Sequence, residues 1–263
     1  MHCVSVAKVE TCERMRLLSF YKLILAPVLL AQGRKIQQTA LRLPEASGKR
    51  SGRIQGESNL SELRLLFVGD STMAGVGVRQ QTEALAFQTA SNVAKQLNRS
   101  VSWQLVAKSG VNTSQSRSLL ERTNILPTDV LITALGTNDV ICQTPPRRFI
   151  EDYGRLLDTL SVPVRASFTV VNGLPPLHIT PALPQPLRWY FGQYACLLDD
   201  QLRQWAGLKK DVAFVSLKWA SDRTKLAEDG FHPGPALYEA WAGFIATQII
   251  CHLNPNGMTR TEN

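Results

Sequence analysis

Cysteine is scarce and unpatterned in this 263-residue chain: Cys3, Cys12, Cys142, Cys196 and Cys251 are scattered, with no CxxC and no finger-like spacing. An odd, dispersed set excludes a disulfide framework and offers no zinc site. A chain of this length also buries enough core to need neither. Histidine is rarer still, at four residues: His2, His178, His232 and His252. There is no uninterrupted apolar run of transmembrane length. The longest candidate, Leu17 to Ala31, is broken by Lys22 and Pro27, whereas a clean spanning helix wants about 20 apolar residues. Internal repeats and low-complexity tracts are absent too.

The globular part also lacks a surplus of charge. The net charge is +8, but residues 1–57 hold ten basic and four acidic residues, a net of +6, which leaves +2 for the remaining 206 positions. A nearly neutral body argues against a nucleic-acid partner. The surplus instead flanks the apolar run, where it suits an anionic membrane surface.

What is present divides into zones. Residues 1–32 form a basic, apolar segment. Three readings stand: an interfacial membrane anchor acting through residues 15–35, a signal-like leader with a small-residue site at Ala31-Gln32-Gly33, and a plain packed helix. Met15 would serve as an alternative start. Residues 33–61, rich in Gly, Ser and Lys/Arg, read as a polar linker. Residues 62–254 read as one domain, and 255–263 as a flexible tail.

Within the domain, short apolar runs alternate with helical stripes. Leu63–Val68, Trp103–Ala107, Asp129–Leu135, Ala166–Val171 and Val212–Leu217 read as five strands, several of them ending in glycine. Such runs fit strands buried on both faces. Leu85, Thr89, Val93 and Leu97 recur at helical spacing, as do Phe149 to Leu160 and Leu237 to Ile249. Strands alternating with helices imply an α/β fold with a parallel sheet covered on both sides. Chemistry then belongs at the carboxyl ends of the strands.

Four blocks lie at those ends. Gly69-Asp70-Ser71 follows the first strand, and a serine entering a tight turn there is an exposed candidate nucleophile. Asp229-Gly230-Phe231-His232-Pro233 comes late in the chain. A hydroxyl needs a general base at neutral pH, imidazole can take and return the proton, and a carboxylate orients the imidazole. Gly136-Thr137-Asn138-Asp139 ends the third strand, where the Asn138 amide is a candidate donor to an oxyanion. Ser109-Gly110 ends the second, where glycine lets the backbone N–H approach a substrate.

These blocks, in this order, resemble the markers of the SGNH/GDSL hydrolase superfamily over about residues 63–252. The resemblance implies a three-layer α/β/α, flavodoxin-like sandwich with a five-stranded parallel sheet. It implies Ser71 as nucleophile, His232 as base and Asp229 as the orienting acid. The backbone N–H groups of Ser71 and Gly110 and the Asn138 side chain would form the oxyanion hole, with no metal and no organic cofactor. Thr72 stands where members often have leucine, and Phe231 where many have tryptophan; both bear on the pocket, not on reacting atoms.

The activity so implied is hydrolysis of a carboxylic ester, a small-molecule substrate, through an acyl-serine. The basic, Leu/Pro-rich leader resembles that of bacterial membrane-associated members. It points to a lipid-like ester such as a lysophospholipid and to the inner membrane, with a secreted or periplasmic enzyme as the alternative. The same machinery serves a carbohydrate O-acetylesterase, a thioesterase or an acyltransferase, and a catalytically silent tethered binding module is the reading from another class. Asp70 is expected to hold hydrogen bonds rather than join the triad. Asp139 is expected to cap the next helix or to fix the turn presenting Asn138. The proline-rich stretch Leu174–Pro186 is either a lip for an acyl chain or a connecting loop.

Overall fold

The apolar runs become strands because the central ones are buried on both faces, while the last, at a sheet edge, is mostly half-buried. In the computed structural model, which describes residues 2–164 and 166–254, the strands are β1 (Ser51–Ile54), β2 (Leu63–Gly69), β3 (Val101–Ala107), β4 (Val130–Ala134), β5 (Phe168–Asn172) and β6 (Val212–Val215). The expected tail at 255–263 lies outside the described residues. The helices are α1 (His2–Thr39), α2 (Leu85–Leu97), α3 (Thr113–Glu121), α4 (Thr137–Ile141), α5 (Pro146–Val164), α6 (Leu187–Gly207) and α7 (Pro235–Leu253).

The strands form one sheet in the order β1-β3-β2-β4-β5-β6. All neighbours are parallel except β1, which pairs antiparallel with β3, Ser51 opposite Gln104 and Ile54 opposite Val101. Five strands were expected and six are found. The extra strand is an exposed edge with a neighbour on one side only, so its Ser-Gly-Arg-Ile sequence needs no apolar run.

Alternation along β2 separates two cores. Leu63, Leu65 and Phe67 face the side covered by α2 and α7, where Val93, Tyr238 and Ile245 are buried. Leu66 and Val68 face the side covered by α5 and α6, with Phe149, Tyr153 and Leu198. The result is a three-layer α/β/α sandwich. Local signals place several boundaries. Asn112 and Gln115 form a reciprocal capping box at the start of α3, and Pro235 opens α7, where its missing N–H costs nothing.

Residues 33–61 were expected as a linker, but they are part of the folded body. Helix α1 continues to Thr39, and the stretch after it is stitched to the loop following β2. The Ala46 N–H donates to the Ala74 carbonyl at 3.2 Å, and the Gln81 side chain donates to the carbonyls of Ala46 and Ala74. Polarity misled here because the stabilising contacts are backbone carbonyls and amides rather than apolar side chains.

Helix α1 lies antiparallel along α6. Leu18, Leu25, Leu29 and Ile36, spaced 7, 4 and 7 apart, make the seam. Tyr21 meets Trp189 edge-on at 5.1 Å. The Leu187 N–H at the start of α6 donates to Gln32 Oε1 at 3.1 Å, and Arg14 pairs with Asp200 at 3.0 Å. The opposite face of α1 is bare: Leu23 is 77% exposed, Leu30 62% and Phe20 58%. From Glu13 to Thr39 the helix is long and apolar enough, by length and composition, to cross a membrane.

Candidate active site

The strand order explains how four separated blocks meet. Strand β2 is central, with β3 on one side and β4 on the other, and the chain leaves it in both directions. Such a reversal opens a crevice at the carboxyl ends. The loop after β2, carrying Ser71, is therefore flanked by the Gly110 loop after β3 and the Asn138 turn after β4.

The late block reaches this crevice as a closed loop. Leu226 and Pro233 bridge antiparallel, the Ala227 N–H donates to the His232 carbonyl at 2.9 Å, and the Gly234 N–H donates to the Lys225 carbonyl at 2.9 Å. Gly77 seats it against the Ser71 loop. Its φ is +105°, and a Cβ there would lie 2.2 Å from the Pro233 carbonyl oxygen. Only glycine allows both the backbone angle and that approach.

The outcome is a hydrogen-bonded chain of three side chains. Ser71 Oγ is 2.9 Å from His232 Nε2, and His232 Nδ1 is 2.6 Å from Asp229 Oδ2. Asp229 Oδ1 accepts the backbone N–H groups of Phe231 and His232 at 2.9 and 3.0 Å. Burial alone would raise the Asp229 pKa. The hydrogen bonds from the His232 ring and from the two backbone N–H groups, together with the charge of His232, outweigh burial and hold it below the usual carboxylate value.

The loops around Ser71 are braced from several sides. The Tyr238 hydroxyl, fully buried on α7, is 2.9 Å from the Thr72 carbonyl and 2.7 Å from that of Val76. Asn138 Nδ2 donates to the Val111 carbonyl at 3.0 Å and to Asp70 Oδ2 at 3.2 Å. Both amide hydrogens of Asn138 thus have partners, and the longer contact to Asp70 is the one a substrate oxygen would share or displace. Gly110 is exposed with φ +81°, and an added Cβ would meet nothing within 4 Å. Its requirement for glycine is therefore conformational, not steric.

Asp139 takes the second of its two expected roles, fixing the turn that presents Asn138. Its Oδ2 accepts the Thr113 N–H and hydroxyl at 3.0 and 2.8 Å, so it clasps the first residue of α3 and locks the Gly110 loop to the Asn138 turn. Sequence reading had no access to that partner, 26 residues away. Two further supports were also missed. Glu45 Oε1 accepts the Ser109 N–H at 2.6 Å beside Gly110, and Glu45 pairs with Arg50, which donates to the Ala107 carbonyl. Tyr238 was hidden within a helical core stripe.

Asp70 is buried, and its Oδ1 accepts the Thr72 N–H at 3.1 Å. Burial pushes its pKa up to about 6, aided by the charge of Asp139 and opposed by the Thr72 N–H, the charge of His232 and the Asn138 amide. The native carboxyl therefore holds its proton in a range, about pH 4 to 6, where the unfolded chain has released it. Stability through this group is present at low pH and lost as pH rises through that window. An Asp70→Asn variant is expected to show a stability slope between about pH 4 and 6 that is more positive than the parent's. Urea midpoints across that range check this, and an unchanged slope refutes it.

The proline-rich stretch lies beside the triad: the Ala182 N–H donates to the Gly230 carbonyl at 3.3 Å. His178 is exposed on a short 3-10 turn against Gly192. A groove of about 640 Å³ opens from Asp229, Phe231 and His232 toward α1, with Leu183 and Tyr190 along it.

Comparison with known proteins gives the family and supports the fold. The sequence matches the GDSL-like Lipase/Acylhydrolase family over residues 67–240. Among solved structures the chain is similar to the lipase Lip_vut3 from a goat rumen metagenome, at 18% identity, TM-score 0.56, covering 70% of this chain and 96% of that one. It is similar to Est24, a carbohydrate acetylesterase from Sinorhizobium meliloti, at 18% identity, TM-score 0.52, covering 72% and 99%. It is also similar to the psychrotrophic esterase EstA from Pseudoalteromonas sp., at 17% identity, TM-score 0.56, covering 73% and 98%. At these identities the likeness establishes the fold. The comparison with curated proteins gave no match.

Proposed function

This chain belongs to the GDSL-like lipase/acylhydrolase family, and from that premise we propose that it is a serine esterase whose nucleophile is Ser71, acting on a lipid-like carboxylic ester through an acyl-enzyme. Ester cleavage follows from the family; the residue roles and the substrate are the proposal. One observation carries it: the unbroken chain from Ser71 Oγ through the His232 ring to Asp229, at 2.9 and 2.6 Å.

In this mechanism His232 Nε2 takes the Ser71 proton as Oγ attacks the ester carbonyl. The electron pair moves onto the carbonyl oxygen, which receives hydrogen bonds from the N–H groups of Ser71 and Gly110 and from Asn138 Nδ2. Asp229, held as a carboxylate, stabilises the imidazolium. The tetrahedral centre collapses, the C–O bond to the alcohol breaks, and the alcohol leaves with the proton from His232. Water, deprotonated by His232, then attacks the acyl-Ser71 carbonyl; the bond to Oγ breaks, Oγ takes the proton back from His232, and the acid is released.

A lipidic substrate is favoured by the setting of this site. Helix α1 stays seated on α6 by Leu18, Leu25 and Leu29 while presenting Leu23 and Phe20 outward. With Arg14, Arg16, Lys22, Arg34 and Lys35 on the same helix, it suits the plane of an anionic lipid surface. A carbohydrate O-acetylester is the second reading, favoured by the resemblance of the fold to Est24.

A fluorophosphonate probe tests the nucleophile directly. Stoichiometric labelling is expected, with the mass increment on the peptide containing Ser71. Labelling at another serine, or none in folded protein, would refute the assignment.

A further inference from the structure

We infer that the groove between α1 and α6 is the binding site for a long, unbranched acyl chain, and that α1 is the wall that sets how long a chain the enzyme accepts. The inference rests on the esterase reading above and deepens it by naming the acyl group.

The groove is continuous with the reacting atoms, because Asp229, Phe231 and His232 form its inner end. His232 is itself 2.9 Å from Ser71 Oγ. An ester whose carbonyl lies at Ser71 and whose acyl substituent runs past His232 enters this groove. The sides are apolar: Leu29 and Ile36 from α1, Leu183, Leu187 and Phe191 from the opposite side. A volume of about 640 Å³ lies in the ~300–1,000 Å³ range of small-molecule sites. Such a site, lined mostly by apolar side chains with Gln37, Gln143 and Tyr190 as its few neutral polar groups, fits a methylene chain better than a sugar, most of whose hydroxyls would go unpaired. Lys22 and Arg34 stand among the α1 residues along it, as cations at the border between a lipid headgroup layer and the apolar groove.

The wall belongs to this chain rather than to the matched family region, which begins at Phe67. Gly33 is its most informative residue. It sits within α1 facing the groove, and a Cβ added there would meet nothing within 4 Å. Glycine is the least favourable non-proline residue in a helix interior. A larger residue at 33 would therefore enter the groove without disturbing the helix.

The test uses the full chain and p-nitrophenyl esters, which keep the leaving group fixed while the acyl chain lengthens from acetate through octanoate to laurate. In the parent, kcat/KM is expected to rise with length, up to roughly fourfold for each methylene buried. Gly33→Phe is expected to cut the laurate-to-acetate ratio of kcat/KM at least ~10-fold, and Ala26→Phe, one further groove position on α1, to act in the same sense. A binding readout is independent of turnover: a fluorescent fatty acid should bind the Ser71→Ala protein and lose affinity at least ~10-fold when Gly33→Phe is added. An unchanged ratio in both folded variants, or a parent indifferent to acyl length, overturns the inference while leaving the esterase reading in place. Absence of Ser71-dependent turnover of every ester overturns the esterase reading itself.

Discussion

Ser71→Ala is expected to lower kcat for any ester at least ~10,000-fold while leaving the protein folded. The size follows from what the hydroxyl does. As the proposed nucleophile it supplies the atom that bonds the carbonyl carbon, and it lies 2.9 Å from a base, His232 Nε2. Alanine leaves water as the attacking group, and the oxyanion donors and the binding groove supply only the residual rate. Stability should change little. The Ser71 side chain is half-buried, its hydroxyl bonds to His232, and its backbone carbonyl still accepts the Val76 N–H at 3.0 Å. Steady-state kinetics beside a thermal melt give the check. A folded variant that keeps ester turnover would assign the chemistry to another group.

Asp229→Asn is expected to cost on the order of 1,000- to 10,000-fold in kcat near neutral pH, with a far smaller change in KM. The asparagine oxygen can still accept the Phe231 and His232 N–H groups that Asp229 Oδ1 accepts at 2.9 and 3.0 Å, so the loop keeps its shape. The loss falls on the 2.6 Å contact to His232 Nδ1. A neutral amide there neither stabilises the imidazolium nor holds the ring in the tautomer that leaves Nε2 free to accept the serine proton. The depressed pKa of Asp229 also has a sign for stability. Its contribution is complete above the pKa of an unfolded carboxylate, about 4, and is lost as pH falls through the native value. The variant should therefore also lose, at neutral pH, the stability that the ionised carboxylate contributes, a loss that shrinks as pH falls below about 4, while remaining folded enough for kcat to be measured. A kcat within tenfold of the parent would remove Asp229 from the proposed triad.

The α/β class, the parallel core of the sheet and the apolar faces of α2, α5 and α7 were legible because burial on both faces leaves only apolar sequence to choose from. The four blocks were legible for a related reason. Three combine a glycine with a side chain that acid–base or oxyanion chemistry needs, and the fourth, Ser109-Gly110, offers a glycine whose backbone N–H can serve, all in loops where the fold places chemistry. Strand β1 and the stitching of residues 45–47 were not. An edge strand can be polar, and hydrogen bonds through carbonyls leave no mark on residue type. Helix α1 was legible as apolar and basic, but its register on α6 was not, since the same stripe suits a neighbouring helix or a lipid surface.

By itself, then, the sequence determined the chemistry available to this protein: a serine, a base with its acid three residues away, and amide donors at successive strand ends. Tertiary structure decided their company. It set Asp139 on Thr113 and Glu45 on Ser109, used both hydrogens of the Asn138 amide, closed Pro233 onto Gly77, and laid α1 alongside the groove that leads from His232. These are contacts between residues far apart in the chain, fixed by strand order and packing, and no local pattern of residues encodes them.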